Sequence, residues 1–300
     1  MRKAILNQAR SGERTGISTM KPASLYWESI GGTMRSKTLA SLGILLGLAI
    51  SPAFAQVDRV ADSRPTGIMT PLAPIHPDRG NAADGRETSA NSGGYAGYVV
   101  TGSAFTSVKG SWVVPKYHCL KTPNSGSGFA VGFDGYDNSY FEVIGTASNC
   151  VGTQYQYYAV YEFSPTDYGF ITSVPVKSGD LEVSYTGSKF KLTITNKTTG
   201  KTFSKSAAVP GAPRDSADWI VTTVGGFSNL MDFGTLSSGD DYTTIVDTDW
   251  ATDSTVSGPI SDFGSKLVKL NMVNSANVTL ATPSALTTDG SSFTVTWKHE

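Results

Sequence analysis

The stretch from Phe129 to Pro165 constrains the fold more than any other part of the chain. It reads as three successive β-strands, each ending at turn-forming residues, over about Phe129–Asp134, Ser139–Thr146 and Gln154–Phe163. Aromatic and β-branched residues dominate all three, as in strands of a pleated, half-buried sheet. In the third strand both alternating faces carry aromatic or apolar side chains, so neither face is suited to lie fully in water. The stretch predicts a sheet that is covered on both sides or lines a groove.

Short predicted strands also recur through the rest of the chain. Turn signals such as Ser178-Gly179-Asp180 and Thr199-Gly200 separate them about every ten residues, a spacing typical of a β-sandwich or barrel. No stretch keeps a helical period over three turns, so we expect no βαβ unit. These strands are predicted at Tyr95–Val100, Phe105–Pro115, Ile171–Val176, Leu181–Thr186, Phe190–Thr195, Thr202–Ala207, Ser216–Val221, Val268–Val273 and Ser292–Trp297.

Composition excludes one large class of partner. The 300 residues carry a net charge of -1, and only 16% of them are charged. Nucleic-acid binding needs clustered lysine and arginine, and the chain has no basic run. Low charge with many Ser, Thr, Gly and Tyr residues is typical of an extracellular all-β domain. We expect no nucleic-acid partner.

The N-terminal region reads as a secretory signal. From Met34 the sequence has two early basic residues, a short apolar run over Leu39–Ile50 and then Ala53-Phe54-Ala55. This is the order of a signal peptide over residues 34–55, cleaved after Ala55, and the apolar run is short for a membrane anchor. Residues 1–33 then precede the true start codon. We expect an extracellular or periplasmic protein with no membrane attachment after cleavage.

Residues 56–93 are rich in Pro, Asp, Arg, Ala, Ser and Gly and show no sustained period. This composition predicts a disordered linker or a pro-segment ahead of a folded domain over residues 94–300. The two cysteines, Cys119 and Cys150, lie within that domain. In an exported protein they are expected to form a disulfide, the alternative being two buried free thiols.

Most familiar catalytic sets are missing from the sequence. There is no G-x-S-x-G elbow and no Gly-rich phosphate loop. The three histidines, His76, His118 and His299, are too dispersed for a metal cluster, so neither metal nor cofactor is expected. Any chemistry must therefore be performed by carboxylates.

The motifs together resemble the glutamic peptidases, or eqolisins, over about residues 94–297. The matching residues are Ala96-Gly97, Trp112-Val113-Val114-Pro115, the Asp134-Gly135 turn and the closing SSFTVTW strand. The resemblance implies an all-β fold, an antiparallel two-sheet β-sandwich of concanavalin-like, eqolisin type. It also implies a peptide-binding groove, acid endopeptidase activity and a removable pro-segment. We expect a monomer.

Both catalytic positions of the family differ in this chain. The family uses a Glu as general base and a Gln that positions water and stabilises the oxyanion. Asp218 stands at the Glu position within Ala217-Asp218-Trp219-Ile220-Val221, and Val143 stands at the Gln position before Ile144-Gly145. Aspartate keeps a carboxylate on a shorter side chain, whereas valine cannot donate a hydrogen bond, and losing one oxyanion donor typically costs about 10²–10³ in rate.

Other groove positions are partly retained. Ala130 and Val160 replace two family tryptophans that wall the groove. The resemblance assigns Asp134, Tyr161 and Glu162 to the groove, although Asp134 also suits a turn and Glu162 a buried structural role. Glu142 neighbours Val143 and could replace the missing Gln only if a bulge turned it to the same face.

The sequence thus supports several functions. The first is a secreted glutamic-peptidase-family protein with impaired or altered catalysis. The second is an active acid endopeptidase that uses Asp218 with another carboxylate, Glu142 or Glu162. The third is a non-catalytic module that binds peptide or glycan in the groove.

Overall fold

The computed structural model describes residues 71–79, 88–176, 179–186, 188–239 and 248–299. The predicted signal peptide at 34–55 and the upstream stretch 1–33 lie outside the described residues. Among the described residues, no helix is long and apolar enough to cross a membrane.

The described residues form eighteen β-strands and one short 3₁₀ helix, Ile260–Lys266. The strands are β1 (Asp78–Arg79), β2 (Thr88–Ser92), β3 (Tyr95–Thr101), β4 (Ser107–Val113), β5 (Gly126–Phe133), β6 (Phe141–Val151), β7 (Gln154–Ser164), β8 (Asp167–Ile171), β9 (Gly179–Thr186), β10 (Lys189–Asn196), β11 (Lys201–Ala207), β12 (Ser216–Thr222), β13 (Thr235–Ser238), β14 (Trp250–Thr252), β15 (Ser257–Pro259), β16 (Leu267–Val273), β17 (Thr279–Pro283) and β18 (Phe293–Trp297).

Strand pairing builds two sheets. The first sheet has the order β1-β2-β16-β3-β12-β5-β6-β7-β8. The second has the order β17-β18-β13-β4-β9-β10-β11, and the hairpin β14–β15 also pairs with β4. A pairing of β16 with β17 joins the two sheets at one edge. All of these strand pairs are antiparallel except β2 with β16, so the predicted antiparallel two-sheet sandwich is confirmed.

The interior between the sheets holds most of the large side chains. Phe129, Phe133, Phe163 and Trp219 are all at most 2% exposed. The buried Trp112 on β4 donates a hydrogen bond from Nε1 to Thr146 Oγ1 on β6, at 3.0 Å, and so links the two sheets through the core. Aromatic side chains of this size bury large apolar areas, and a buried indole N–H needs a partner.

The described part of 56–93 is more ordered than its composition predicts. Strand β2 pairs with β16 inside the first sheet, and Ile75 is fully buried. The sheet therefore begins before residue 94. The physical reason is local: Ile75 and Leu72 supply apolar side chains that pack against the sheet, which an average over the segment hides.

The structure corrects one predicted strand and confirms the predicted disulfide. A strand was predicted at Ile171–Val176, but β8 ends at Ile171, and the residues after it are not in a strand. Cys119 and Cys150 form the predicted disulfide, which joins the loop after β4 to the end of β6.

Candidate functional site

One row of directly opposed residues crosses the outer face of the first sheet. Asp218 on β12 is opposite Gly132 on β5, Gly132 is opposite Val143 on β6, and Val143 is opposite Glu162 on β7. Directly opposed residues in antiparallel strands point to the same face. Asp218 and Val143, the pair that the sequence resemblance predicts as the catalytic positions, thus share one face, two strands or about 10 Å apart. Gly132 lies between them.

Val143 occupies the space above this glycine. A Cβ atom built at residue 132 would lie 2.2 Å from Cγ1 of Val143, so the valine methyl group already fills that position. Val143 is itself only 4% exposed. Between Asp218 and Val143 the sheet surface therefore presents a methyl group where a polar partner would have to sit.

The Asp218 carboxyl is fully buried. Burial raises the pKa of Asp218 well above its ordinary value, and the nearby Asp134 and Asp215 carboxylates add to the rise. Ser216 lies near enough to oppose the rise, yet neither oxygen of Asp218 has a hydrogen-bond partner within the described residues. A buried carboxyl without donors is more stable as the neutral acid.

Glu162 lies on the same face, at the other end of the row. Both of its carboxyl oxygens accept a hydrogen bond from the backbone N–H of Leu72, at 3.1 and 3.2 Å. Burial raises the pKa of Glu162 to about 7, although the bond from Leu72 favours the charged form. Glu162 is thus the one carboxyl of the row that touches a peptide backbone within the described chain.

The chain's own residues 71–77 cover this face. The N–H of Ile75 donates to the Gly135 carbonyl at 2.7 Å, and the N–H of Asp137 donates to the Ile75 carbonyl at 3.1 Å. The Tyr95 hydroxyl donates to the carbonyl of Ala73. We call residues 71–77 the covering segment.

The apolar side chains beneath the covering segment form a second buried cluster, separate from the sandwich core. Its members come from the outer face of the first sheet and from the segment itself. They are Ile75, Ala90, Tyr95, Val99, Ala130, Phe141, Val143, Ile220, Val268 and Leu270.

Glu142 lies on the opposite face of its strand from Val143. It is opposed by Phe133 and Phe163, both of which belong to the sandwich core, and the ladder between β5 and β6 runs through this point without a bulge. Burial raises the pKa of Glu142 to about 10, and the neighbouring Asp134 carboxylate adds to the rise. The structure therefore places this carboxyl inside the sandwich rather than beside Asp218.

Asp134 lies at the end of β5, in the predicted turn. Its φ of 65° and the 93° of Gly135 belong to the left-handed region that such turns require. Its carboxylate accepts hydrogen bonds from the backbone N–H groups of Arg214 and Asp215, at 3.0 and 2.9 Å. Asp134 thereby fixes the entry to β12, the strand that carries Asp218.

The ring of Tyr161 packs on the inner side of the first sheet. It stacks on Phe203 of the second sheet, with ring centroids 5.9 Å apart. Its hydroxyl accepts a hydrogen bond from Lys205 Nζ at 2.7 Å and lies 3.2 Å from Asp167 Oδ1. These contacts join the two sheets.

Sequence reasoning missed the residues that hold the covering segment. The sequence analysis identified Tyr95 only as part of a strand and placed Ile75 within a linker or pro-segment. The available signal was the pair of isolated apolar residues, Leu72 and Ile75, spaced three apart in a proline-rich stretch.

The site holds carboxyls but little else with catalytic capacity. Within the described ranges, no group of three or more His, Cys, Asp or Glu side chains is arranged to hold a metal ion. A buried neutral Asp218 can donate a proton but cannot accept one, and Val143 offers no donor for a developing oxyanion. The face can bind an extended backbone, as it does with the covering segment.

Comparison with known proteins agrees with this geometry. The fold is similar to the crystal structure of scytalido-glutamic peptidase with a peptide-based transition-state analogue, at a TM-score of 0.55 and 19% identity, covering 69% of this chain and 98% of that one. It is also similar to SCP-B, an eqolisin-family peptidase in complex with the tripeptide Ala-Ile-His, at a TM-score of 0.54 and 18% identity over the same shares. No curated protein sequence matches the chain. The model of the Peptidase A4 family matches residues 93–296, so the chain belongs to the Peptidase A4 family.

Proposed function

We propose that this chain is a secreted protein of the glutamic peptidase family whose groove binds extended polypeptide and whose hydrolytic chemistry is impaired. The observation that carries the proposal is the position of Val143, whose Cγ1 covers Gly132 next to Asp218 in the row. An apolar methyl group there cannot hold a water molecule or donate to an oxyanion.

The protonation of Asp218 supports the same conclusion. A general base must be ionised at the working pH and lie within hydrogen-bond reach of the proton that it accepts. Burial raises the pKa of Asp218 and so favours the neutral acid, which cannot accept a proton from water. With the groove covered, burial disfavours the ionised carboxylate of Asp218 that a general base needs.

The strand order argues against a rebuilt pair of carboxylates. Glu162 is three strands from Asp218, or about 14 Å between backbones, too far for two carboxyls to share a proton. Glu142 points into the sandwich. An active acid endopeptidase that uses Asp218 with either carboxyl is therefore the less favoured alternative.

Peptide binding has direct support in the covering segment. Its N–H and C=O groups are bound by Glu162, Gly135, Asp137 and Tyr95, a set that recognises backbone rather than a particular side chain. An external polypeptide could use the same groups once the segment leaves. Secretion rests on the signal-like sequence at 34–55 and on the disulfide, a bond typical of exported proteins.

The decisive experiment is digestion of a denatured protein substrate between about pH 2 and 6. We would compare the wild-type protein with Val143→Gln, Asp218→Glu and the double variant. The same set would also be tested with Ile75→Ala added to every member, to weaken the covering segment. We expect no cleavage by wild type and measurable cleavage by the double variant, because that variant restores both a donor and a longer carboxylate.

The control is Asp218→Asn, which removes the Asp218 carboxyl while keeping the shape of the side chain. Cleavage by the wild-type protein that Asp218→Asn abolishes would refute impaired catalysis and establish an acid peptidase. Cleavage that survives Asp218→Asn would point to a contaminating protease.

A further inference from the structure

An apolar cavity continues the groove beyond Leu72. Its volume is about 60 Å³, room for about four to six water molecules or one side chain of comparable size. Glu162 and Leu72 stand together at one end. The remaining lining is mostly apolar, and Thr146 and Thr222 are among its polar members.

Small residues form the floor of this cavity. Gly128 and Ala130 on β5 lie beside Ala147 on β6, and all three are on the outer face of the first sheet. Because none of them projects beyond a methyl group, the sheet surface is recessed here. The walls are larger: Tyr158, Val160 and Phe170 on one side and Val224 on the other.

Neighbouring side chains contact both walls. Tyr158 and Phe170 pack edge to face with ring centroids 4.9 Å apart. On the other side, Cγ1 of Val224 lies 3.2 Å from where a Cβ on Gly128 would stand. The recess is thus a slot between two walls, a shape that suits a flat side chain.

We propose that this cavity is the specificity pocket of the groove and that it accepts an aromatic side chain, phenylalanine or tryptophan, of a bound polypeptide. The inference rests on the proposed peptide-binding function and deepens it. The covering segment indicates how such a polypeptide would reach the cavity. The backbone amide of Leu72 binds Glu162, and the Leu72 side chain forms part of the cavity lining. A polypeptide whose amide binds Glu162 in the same way would place a side chain at the mouth of the cavity.

The chemistry of the lining disfavours charged, polar and small occupants. A buried cationic side chain would find only Glu162, whose oxygens already accept the amide, and a polar side chain would lose its hydrogen bonds to water. A small side chain would leave most of the space unfilled. An aromatic ring fills the slot and meets aromatic edges at Tyr158 and Phe170.

The test uses the whole protein and three capped amino acids as probes: N-acetyl-phenylalaninamide, N-acetyl-alaninamide and N-acetyl-lysinamide. Binding is measured by ligand-observed NMR and titration. We expect the phenylalanine probe to bind at least tenfold more tightly than either other probe, because ring burial is the only difference in favour of binding.

Filling the cavity should abolish this preference. Val160→Trp places a large ring in the slot, and Ala130→Leu is a smaller change that keeps the test valid if the first variant folds poorly. The matched control is Val151→Trp, a substitution at a 48% exposed position at the far end of β6. We expect weakening of at least tenfold for both pocket variants and no change for the control.

Two results would overturn the inference. One is equal binding of the three probes, and the other is binding of the phenylalanine probe that both pocket variants leave intact. Neither result would touch the proposed function if the groove still bound a polyalanine peptide in the Ile75→Ala protein. Failure of that peptide as well would refute peptide binding itself.

Discussion

Replacing Ile75 by alanine should open the covering segment while the sandwich stays folded. Ile75 is fully buried in the cluster beneath the segment, and its backbone N–H donates to Gly135 at 2.7 Å. Truncating a buried isoleucine to alanine costs about 2–5 kcal/mol, through lost transfer free energy and the cavity left behind. Every 1.4 kcal/mol is a factor of ten, so the segment's opening equilibrium should rise between about 30-fold and several thousand-fold.

Native-state hydrogen exchange measures this opening directly. The reporters are the backbone amides of Leu72 and of residue 75, and the reference is the amide of Gly132 in the central strand β5. We expect the reporters to exchange faster by at least about 30-fold in Ile75→Ala, with no change at the reference, because local and global opening are separate events.

The matched control is Val278→Ala, which shortens a side chain that is 42% exposed. It should leave both sets of amides unchanged. Equal acceleration of reporters and reference in Ile75→Ala would refute the reasoning, since it would make the segment an integral part of the folding unit. Unchanged reporters would show that Ile75 contributes little to holding it.

Two further predictions concern stability. The pKa of Glu142 is raised to about 10 in the folded protein against about 4.3 unfolded, so the native state holds a proton that the unfolded state loses. The contribution of Glu142 to stability is therefore complete below about pH 4 and falls by up to about 1.4 kcal/mol per pH unit above it. Glu142→Gln should flatten this slope in denaturant titrations between pH 5 and 8, and an unchanged slope would refute the assignment. Replacing Cys119 and Cys150 by serine removes a link across a sequence separation of 31 and should lower the free energy of unfolding by about 3–4 kcal/mol, measured by urea denaturation; a loss below about 1 kcal/mol would contradict it.

Strand alternation could be predicted from sequence wherever aromatic and β-branched residues follow one another. It anticipated the sandwich, the turn at Asp134-Gly135, and opposite faces for Val143 and Glu142. These features depend on period-two geometry, which is local. The end of β8 at Ile171 was missed because Val174 and Val176 are apolar outside any strand.

Contacts between segments distant in sequence could not be predicted. Nothing near Leu72 in the chain indicates that its amide meets Glu162, which is 90 residues away. The buried state of Asp218 was equally hidden, because it depends on which side chains cover the face. The neighbouring residues in the sequence predict the position of Asp218 on its strand, whereas the raised pKa of its carboxyl depends on packing.

The covering segment is tied to the sheet that it covers. It runs directly into β1, which pairs with β2, and residues 80–87 join those two strands along the chain. A tethered ligand acts at an effective concentration of the order of millimolar, whatever the dilution of the protein. An external peptide must outcompete that local concentration, so a single backbone cut between β1 and β2 would change the apparent affinity of the groove without altering one of its contacts.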